Sequence, residues 1–322
     1  MAEPVASVPG SASVSGGPIY EQPNVPRAVA FMVLAVSLFS CLDTTAKVLV
    51  DSYQMPVAQV TWVRFVVQFV ALLVLVPLFG RLSVTQLFST QRFGLQMVRS
   101  VLMALTTLFN FLAVEYLRLD QTITIMFLAP LVVALLAGPF LNEWVGWRRL
   151  VAILIGFAGI LVAVHPGVAP VHPAVGYSFA AMSAMALFMI VTRMVASHDP
   201  PLVTLFYSMF AGVVFGAPFA IAEWDWPTDW TLWAGLVSLG LFGGAGHYLL
   251  ILAYRLGPAS TISPFIYFQI LTMTLLGYLV FGDQPDVYTF VGSLLVVGSG
   301  VYLVNRERQL RNEAVAVKSE PA

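Results

Sequence analysis

Cysteine and charge are the two features this chain most lacks. Cys41 is the single cysteine among 322 residues, which excludes an internal disulfide framework and any cysteine-based zinc site. Charged residues make up 10% of the chain, whereas soluble domains carry about 25%. The net charge of −1 does not supply the basic footprint that nucleic-acid partners require. With 59% hydrophobic residues, the composition predicts an all-α polytopic membrane protein.

Sequence motifs of enzymes are also missing. The chain has no CxxC, HExxH, GxSxG, P-loop or dinucleotide-binding glycine motif. His165 and His172 flank one loop without a metal-binding spacing, so neither a metal nor a cofactor is expected. A polytopic membrane enzyme is the alternative from another class, and it would need His, Asp or Ser side chains at one depth. Only His247 of the four histidines lies well inside an apolar segment, so a non-enzymatic function is predicted.

The apolar residues fall into ten segments, each close to the length of about 20 residues that crosses a bilayer as a helix. Proline, glycine and charged residues separate them. The predicted spans are Ala28–Val50, Val57–Gly80, Leu95–Leu117, Gln121–Leu141, Arg149–His165, Ala174–Ala196, Leu202–Ala222, Thr231–Tyr254, Ala259–Phe281 and Asp286–Val304.

The two halves of the chain resemble each other. Lys47 aligns with Arg193, and the run Asp120–Glu143 aligns with Ser260–Asp283. Five spans per half is an odd number, so the second half is predicted to enter the membrane inverted, which is typical of secondary transporters. The predicted organisation is a disordered tail (1–27), a first repeat of helices 1–5 (28–165), a linker (166–173), a second repeat of helices 6–10 (174–304) and a polar cytoplasmic tail (305–322).

Basic residues predict the orientation. With the N-terminus inside, twelve Lys and Arg residues lie on the cytoplasmic side and two, Lys47 and Arg118, lie outside. Because positive residues are retained inside, both termini are predicted to be cytoplasmic.

Polar residues within the spans recur at helical spacing, so they are predicted to face the bundle interior rather than lipid. The stripes with this spacing are Ser40, Asp43 and Lys47 on the first span, Thr61, Arg64 and Gln68 on the second, and Gln96, Arg99, Thr106 and Asn110 on the third.

Asp43 and Arg64 each lie roughly 10 Å below the predicted outer surface, on neighbouring spans. This depth predicts a cross-helix ion pair, which would act as a gate, as a clamp for a substrate carboxylate, or as a structural link. Lys47 lies one turn higher, where it is either an anchor that extends to the interface or a substrate contact. Arg99, near the inner end of its span, is interpreted as an anchor.

Further candidates carry hydrogen-bonding or stacking groups. His247 is either a proton relay or a neutral, hydrogen-bonded histidine. Aromatic side chains near the polar stripes either stack on a ring-bearing substrate or fill the core. Those aromatic candidates are Trp62, Phe109, Phe127, Tyr207 and Tyr267.

Several motifs resemble the EamA type of the drug/metabolite transporter superfamily. They are DTTAK (Asp43–Lys47), TWVRFVVQF (Thr61–Phe69), Arg99–Ile123 and Leu141–Gly167. The combination is similar to a bacterial subgroup that includes riboflavin importers and S-adenosylmethionine importers. The resemblance implies ten helices in two inverted halves and alternating access through a cavity lined by helices 1–4 and 6–9. The second half departs from the first, because Gly282-Asp283 replaces Asn142-Glu143.

The resulting expectation is secondary transport of a small metabolite across the bacterial inner membrane, with riboflavin uptake as the leading interpretation. S-adenosylmethionine uptake and export of amino acids or drugs are the alternatives. An anionic substrate would favour Arg64 and Lys47 as ligands, and a cationic one would favour Asp43. The expected partners are a small-molecule substrate and the lipid bilayer, without nucleic acid, and the chain is a monomer or a homodimer.

Overall fold

The computed structural model describes residues 24–78, 84–141, 146–164, 172–195, 198–256, 263–284 and 286–319. These ranges are helical and contain no strand. The helices, numbered along the chain, are α1 Val25–Lys47, α2 Val57–Leu78, α3 Val84–Leu87, α4 Phe93–Tyr116, α5 Leu119–Met126, α6 Ala129–Leu141, α7 Trp147–Val164, α8 Val175–Val195, α9 Pro201–Ala222, α10 Trp230–Leu256, α11 Phe268–Leu276 and α12 Val287–Ser319.

Within the described ranges, six helical segments are long and apolar enough to cross a membrane, and four shorter apolar segments accompany them. The long segments are Val25–Ser52, Val57–Val74, Phe93–Tyr116, Val175–Thr192, Leu202–Ala222 and Trp230–Ala253. The shorter ones are Leu119–Val133, Leu150–Ala163, Phe265–Phe281 and Val287–Tyr302. Since a helix satisfies its own backbone hydrogen bonds, this all-helical, apolar architecture is that of a multi-pass membrane protein.

The helices pack in a few dominant pairs. The α1 helix lies along α10, α4 lies along α8 and α9, α2 lies between α9 and α10, and α7 lies along α12. Glycines permit the close approaches: Gly212 and Gly216 of α9 face the aromatic rings of Phe65 and Trp62, and Gly240 of α10 faces Val67. The GxxxG spacing of Gly212 and Gly216 therefore serves close helix packing.

Two predicted spans are interrupted. The span Gln121–Leu141 is two helices, because Pro130 has no N–H to bond the carbonyl of residue 126 and its ring clashes with that carbonyl. At the end of α5, the Leu128 amide instead donates a hydrogen bond of 3.0 Å to the carbonyl of Ile125, three residues earlier. In the span Ala259–Phe281, residues 259–262 lie outside the described ranges. A 3₁₀ turn at Ser263–Tyr267 precedes α11, and a π-helical turn at Gly277–Phe281 follows it.

The ends of the chain differ from their predicted bounds. Helix α1 begins at Val25, where the Asn24 side chain accepts a hydrogen bond of 3.1 Å from the Arg27 amide. Helix α12 does not end at Val304 but continues to Ser319, through the segment predicted as a polar tail. Residues 1–23 of the predicted disordered tail and 165–171 around the predicted linker lie outside the described ranges.

Candidate functional site

Helices α1, α2 and α4 bring their polar stripes together inside the bundle. Asp43 and Arg64 are 9% and 5% exposed, so both charges are buried as their spacing predicted. Asn110 of α4 donates from Nδ2 to Asp43 Oδ1 over 2.9 Å, and Arg64 Nη1 donates to Thr107 Oγ1 over 2.5 Å. Because Thr107 and Asn110 are one turn apart, one face of α4 orients both charged groups.

The predicted direct ion pair between Asp43 and Arg64 is wrong. The ion pairs of 4.0 Å or less within the described ranges do not include it. The two groups interact electrostatically at longer range, and each charge takes a neutral hydrogen-bond partner from α4 instead. Neutral amides and hydroxyls at the same depth solvate the two charges, which would otherwise be costly inside the membrane.

Lys47 is buried, which contradicts its interpretation as an interfacial anchor. It is 6% exposed, and its Nζ donates to the carbonyls of Val114 and Leu117 over 3.0 and 2.8 Å. These carbonyls lie at the C-terminal end of α4, where a cation complements both the unpaired acceptors and the helix dipole. Asp51 lies 3.8 Å from Nζ, and the ring of Phe281 lies 5.2 Å away. Lys47 is therefore a buried C-terminal cap of α4, and its contact with a substrate stays a prediction.

Arg118, the second basic residue on the predicted outer side, is also held by acids. Its guanidinium contacts Asp120 through two hydrogen bonds of 3.1 and 2.6 Å, and it lies 3.7 Å from Asp286. Both exceptions to the basic-residue asymmetry therefore have specific partners.

Arg99 is a buried connector rather than the predicted anchor. Its Nε donates to Thr192 Oγ1 of α8 over 2.7 Å, and Nη1 donates to the Thr204 carbonyl of α9 over 2.7 Å and to Ser208 Oγ. The guanidinium lies 4.5 Å from the ring centroid of Phe188. Its place on the polar stripe of α4 was the sequence signal for a buried position. The interpretation of Arg99 as an anchor did not use this signal.

Asp199, which the sequence analysis did not select, fastens the same end of the bundle. Its carboxylate accepts hydrogen bonds from Thr90 Oγ1 (2.5 Å), the Gln91 amide (2.8 Å) and Gln96 Nε2 (2.8 Å). Burial by itself raises the pKa of Asp199, but these hydrogen bonds and the charge of His198 outweigh burial, so the pKa lies below its ordinary value. This carboxylate is therefore held in its ionised form.

Phe127 and Tyr267 form an aromatic pair at the two helix interruptions. Their ring centroids are 5.0 Å apart in an edge-to-face arrangement, and both residues are buried. Phe127 ends α5, and Tyr267 precedes α11.

The remaining candidates are spread over the molecule. Trp62 donates from Nε1 to the Val213 carbonyl over 2.8 Å, and Phe109 stacks on Tyr177 with centroids 6.4 Å apart. Tyr207 is buried, donates to the Phe88 carbonyl over 3.0 Å and packs in a cluster with Leu87 and Phe206. His247 of α10 lies edge-on to Phe39 at 5.0 Å and within electrostatic range of Arg64.

A groove of about 770 Å³ runs between α2, α4 and α9. Its volume is within the range of about 300–1,000 Å³ typical of small-molecule sites. Apolar side chains line most of it, whereas Thr61, Trp62, Glu115 and Glu223 add polar groups. The groove thus reaches the polar stripe of α2 through Thr61.

Relatives with this fold are known. A protein named riboflavin transporter, from Vibrio cholerae, is 25% identical over 282 residues, which cover 87% of this chain and 94% of the relative. An S-adenosylmethionine uptake transporter from Rickettsia bellii is 27% identical over 191 residues, covering 59% of this chain and 65% of the relative. A solved crystal structure with 18% sequence identity has a TM-score of 0.61 and covers 87% of this chain and 98% of its own, so the fold is shared.

The family model described as the EamA-like transporter family matches this chain twice, over residues 26–165 and 172–306. These matches span most of the chain and confirm the resemblance seen in the motifs. Transporters of this kind are embedded in the membrane and act on small molecules. The chain belongs to the EamA-like transporter family, within the drug/metabolite transporter superfamily.

Proposed function

We propose that this protein is a secondary transporter that carries a ring-bearing metabolite into the bacterial cell, with riboflavin as the leading substrate. The observation that carries this proposal is the match to the Vibrio cholerae riboflavin transporter, which extends over 94% of that relative. A second riboflavin transporter, from Brucella anthropi, is 23% identical over 98% of its length. The substrate crosses the membrane without chemical change in this proposal, so the protein is not an enzyme.

The proposed architecture is ten spans in two inverted halves, with both termini in the cytoplasm of a bacterium and the spans in its inner membrane. Packing supports it, because exchanging the halves maps the α1–α10 contact onto the α8–α4 contact and maps α2–α9 and α7–α12 onto themselves. The Phe127–Tyr267 pair joins the two interrupted spans, which are equivalent in the repeat. The twelve-to-two distribution of basic residues supports the orientation.

The proposed mechanism is alternating access around the buried group of Asp43, Arg64 and Asn110. Inverted-repeat transporters place their sites between the halves, near the middle of the membrane. In this mechanism the Arg99 and Asp199 contacts close one end of the bundle, whereas Lys47 and Arg118 fasten the other. Each end opens in turn when its contacts separate.

S-adenosylmethionine is the second candidate substrate, and the relative from Rickettsia bellii supports it. This compound carries a sulfonium cation and an adenine ring. The buried carboxylate of Asp43 would complement the cation, whereas riboflavin is uncharged and would use hydrogen bonds and stacking.

Uptake of labelled riboflavin tests the proposal in bacterial cells that cannot synthesise the vitamin. Expression of the full-length chain is expected to support growth on low riboflavin and to increase uptake above that of the empty vector. Labelled S-adenosylmethionine, supplied to a strain that lacks its synthesis, tests the second candidate. A well-expressed protein that increases uptake of neither compound contradicts the proposed substrates.

A further inference from the structure

Three polar atoms on one face of α2 have no hydrogen-bond partner in the described part of the chain. They are Thr61 Oγ1, Arg64 Nε and Gln68 Oε1, from side chains that are 8%, 5% and 3% exposed. Their spacing of three and four residues places them on consecutive turns of one helix face. Leaving a buried polar group unpaired is costly, so three such atoms on one face indicate a surface that binds polar groups from elsewhere.

Arg64 Nε and Gln68 Oε1 lie against Gly243 of α10. A Cβ atom on Gly243 would lie 3.2 Å from Gln68 Oε1, 3.2 Å from Leu42 Cδ1 and 3.6 Å from Arg64 Nε, so α2 and α10 are in close contact here. Arg64 is already oriented by Thr107 through Nη1, so its Nε–H points to a second direction. One donor and one acceptor therefore face the same glycine at the contact between α2 and α10, which belong to different proposed halves.

We propose that Arg64 Nε and Gln68 Oε1 together recognise the edge of the substrate's heterocycle, where an acceptor and an N–H donor are adjacent. Arg64 donates to the ring acceptor, and Gln68 accepts from the ring N–H. The imide edge of a flavin has this pattern, and so does the amidine edge of adenine, so the shared chemistry covers both candidate substrates. This inference rests on the proposed transport of a ring-bearing metabolite.

The groove reaches the stripe that carries this pair. Thr61 lines the groove between α2, α4 and α9 and lies one turn from Arg64 on the same stripe. Arg64 and Gln68 themselves face α10 at Gly243. In the proposed mechanism, a substrate that enters along Thr61 reaches both side chains when α10 separates from α2.

The test measures discrimination rather than transport alone. Purified full-length protein in proteoliposomes takes up labelled riboflavin, with unlabelled riboflavin or 3-methylriboflavin as competitor. The methyl group replaces the imide hydrogen. For the parent protein, unlabelled riboflavin is expected to inhibit uptake at a concentration about tenfold lower than 3-methylriboflavin, because a lost hydrogen bond of about 1.4 kcal/mol corresponds to tenfold. In Gln68→Met the ratio of these two inhibitory concentrations is expected to fall to about one, because the acceptor is absent.

Gln59→Met is the matched control. Gln59 is a fully buried glutamine on the same helix, but it is paired with the backbone of Asp225 in both directions, at 2.8 and 3.0 Å. Its substitution is expected to leave the ratio at the parent value. An unchanged ratio in Gln68→Met contradicts the inference, and so does an equally large fall of the ratio in Gln59→Met.

A second pair of variants covers the case in which Gln68→Met is not recovered as folded protein. Gly243→Ala places a methyl group against Arg64 and Gln68 and is expected to weaken riboflavin uptake and lower the ratio. Gly244→Ala meets only Gln68 Cγ, at 3.7 Å, and is expected to behave like the parent. Parent-like affinity and ratio in Gly243→Ala contradict the inference.

The same design with labelled S-adenosylmethionine and its analogue lacking the 6-amino group tests the adenine edge. If the parent takes up either substrate but the ratio is the same in Gln68→Met, the inference is contradicted, whereas the proposed function is not. Failure of the parent to take up either substrate contradicts the proposed function, and the inference falls with it.

Discussion

Asn110 donates a hydrogen bond of 2.9 Å from Nδ2 to Oδ1 of Asp43, and this contact joins α4 to α1 inside the bundle. It places an amide, not the guanidinium of Arg64, next to the buried carboxylate. The carboxyl group is therefore hydrogen-bonded by a neutral side chain, and its second oxygen takes no part in this contact.

Asp43→Asn keeps an oxygen for Asn110 but removes the charge. Uptake of the transported substrate is expected to fall about tenfold or more, because interactions of buried charges contribute about 1.5–3 kcal/mol. The measurement is the initial rate of uptake, normalised to the amount of folded protein. Asp51→Asn is the control, since its carboxylate is 44% exposed, and a parent-like rate for Asp43→Asn would show that the charge has no part in transport.

Lys47→Met removes the cap from the end of α4. We expect the free energy of unfolding to fall by about 1.5–3 kcal/mol, because the carbonyls of Val114 and Leu117 lose a charged donor. Thermal melting of the detergent-purified protein measures the loss. Asp51→Asn removes only a partly exposed ion-pair partner and is expected to change the melting temperature little. Equal melting temperatures for the parent and Lys47→Met would contradict the capping role.

The lysine shows what sequence spacing could and could not predict. The polar stripe on α1 predicted that Asp43 and Lys47 share a buried face, and both are buried. The partners of Lys47 are backbone carbonyls 67 and 70 residues away, and no side-chain pattern marks a carbonyl that a helix end leaves unpaired. An interfacial anchor was therefore the wrong expectation.

The interruption at Phe127 and Leu128 was also missed, although the sequence contained a signal. The hydrophobic run from residue 121 to 141 is nearly continuous, which predicted one span. Pro130 marks the break, because it removes one hydrogen bond of the helix. The stripe of Thr61, Arg64 and Gln68 was predicted correctly because a burial pattern at helical spacing depends on one helix alone.

Arg99→Lys tests the bridge between α8 and α9. Lysine keeps the charge, but it cannot reproduce the fork that reaches Thr192 and the Thr204 carbonyl together. We expect a loss of about 1–3 kcal/mol in stability, measured by thermal melting. Arg92→Lys is the matched control, because Arg92 is exposed. If both variants melt at the parent temperature, Arg99 does not hold these helices together.

Asp199 predicts a pH dependence of stability. Its pKa is lowered in the folded protein, so its contribution is complete above the ordinary aspartate pKa of about 3.9 and is lost as the pH falls through the lowered value. Asp199→Asn is expected to melt below the parent at pH 7, and the difference is expected to shrink between about pH 4 and pH 2. Asp225→Asn, at an exposed position, is the control. A difference that grows on acidification would contradict the ionised hydrogen-bonded carboxylate.

Flavin transport by the purified protein is the most direct test of the account. Proteoliposomes with the full-length chain are expected to accumulate labelled riboflavin faster than empty liposomes, with saturation at rising substrate concentration. Uptake is expected to be inhibited by excess unlabelled riboflavin and to fall about tenfold or more in Asp43→Asn. Folded, reconstituted protein that gives the same uptake as empty liposomes would contradict riboflavin transport.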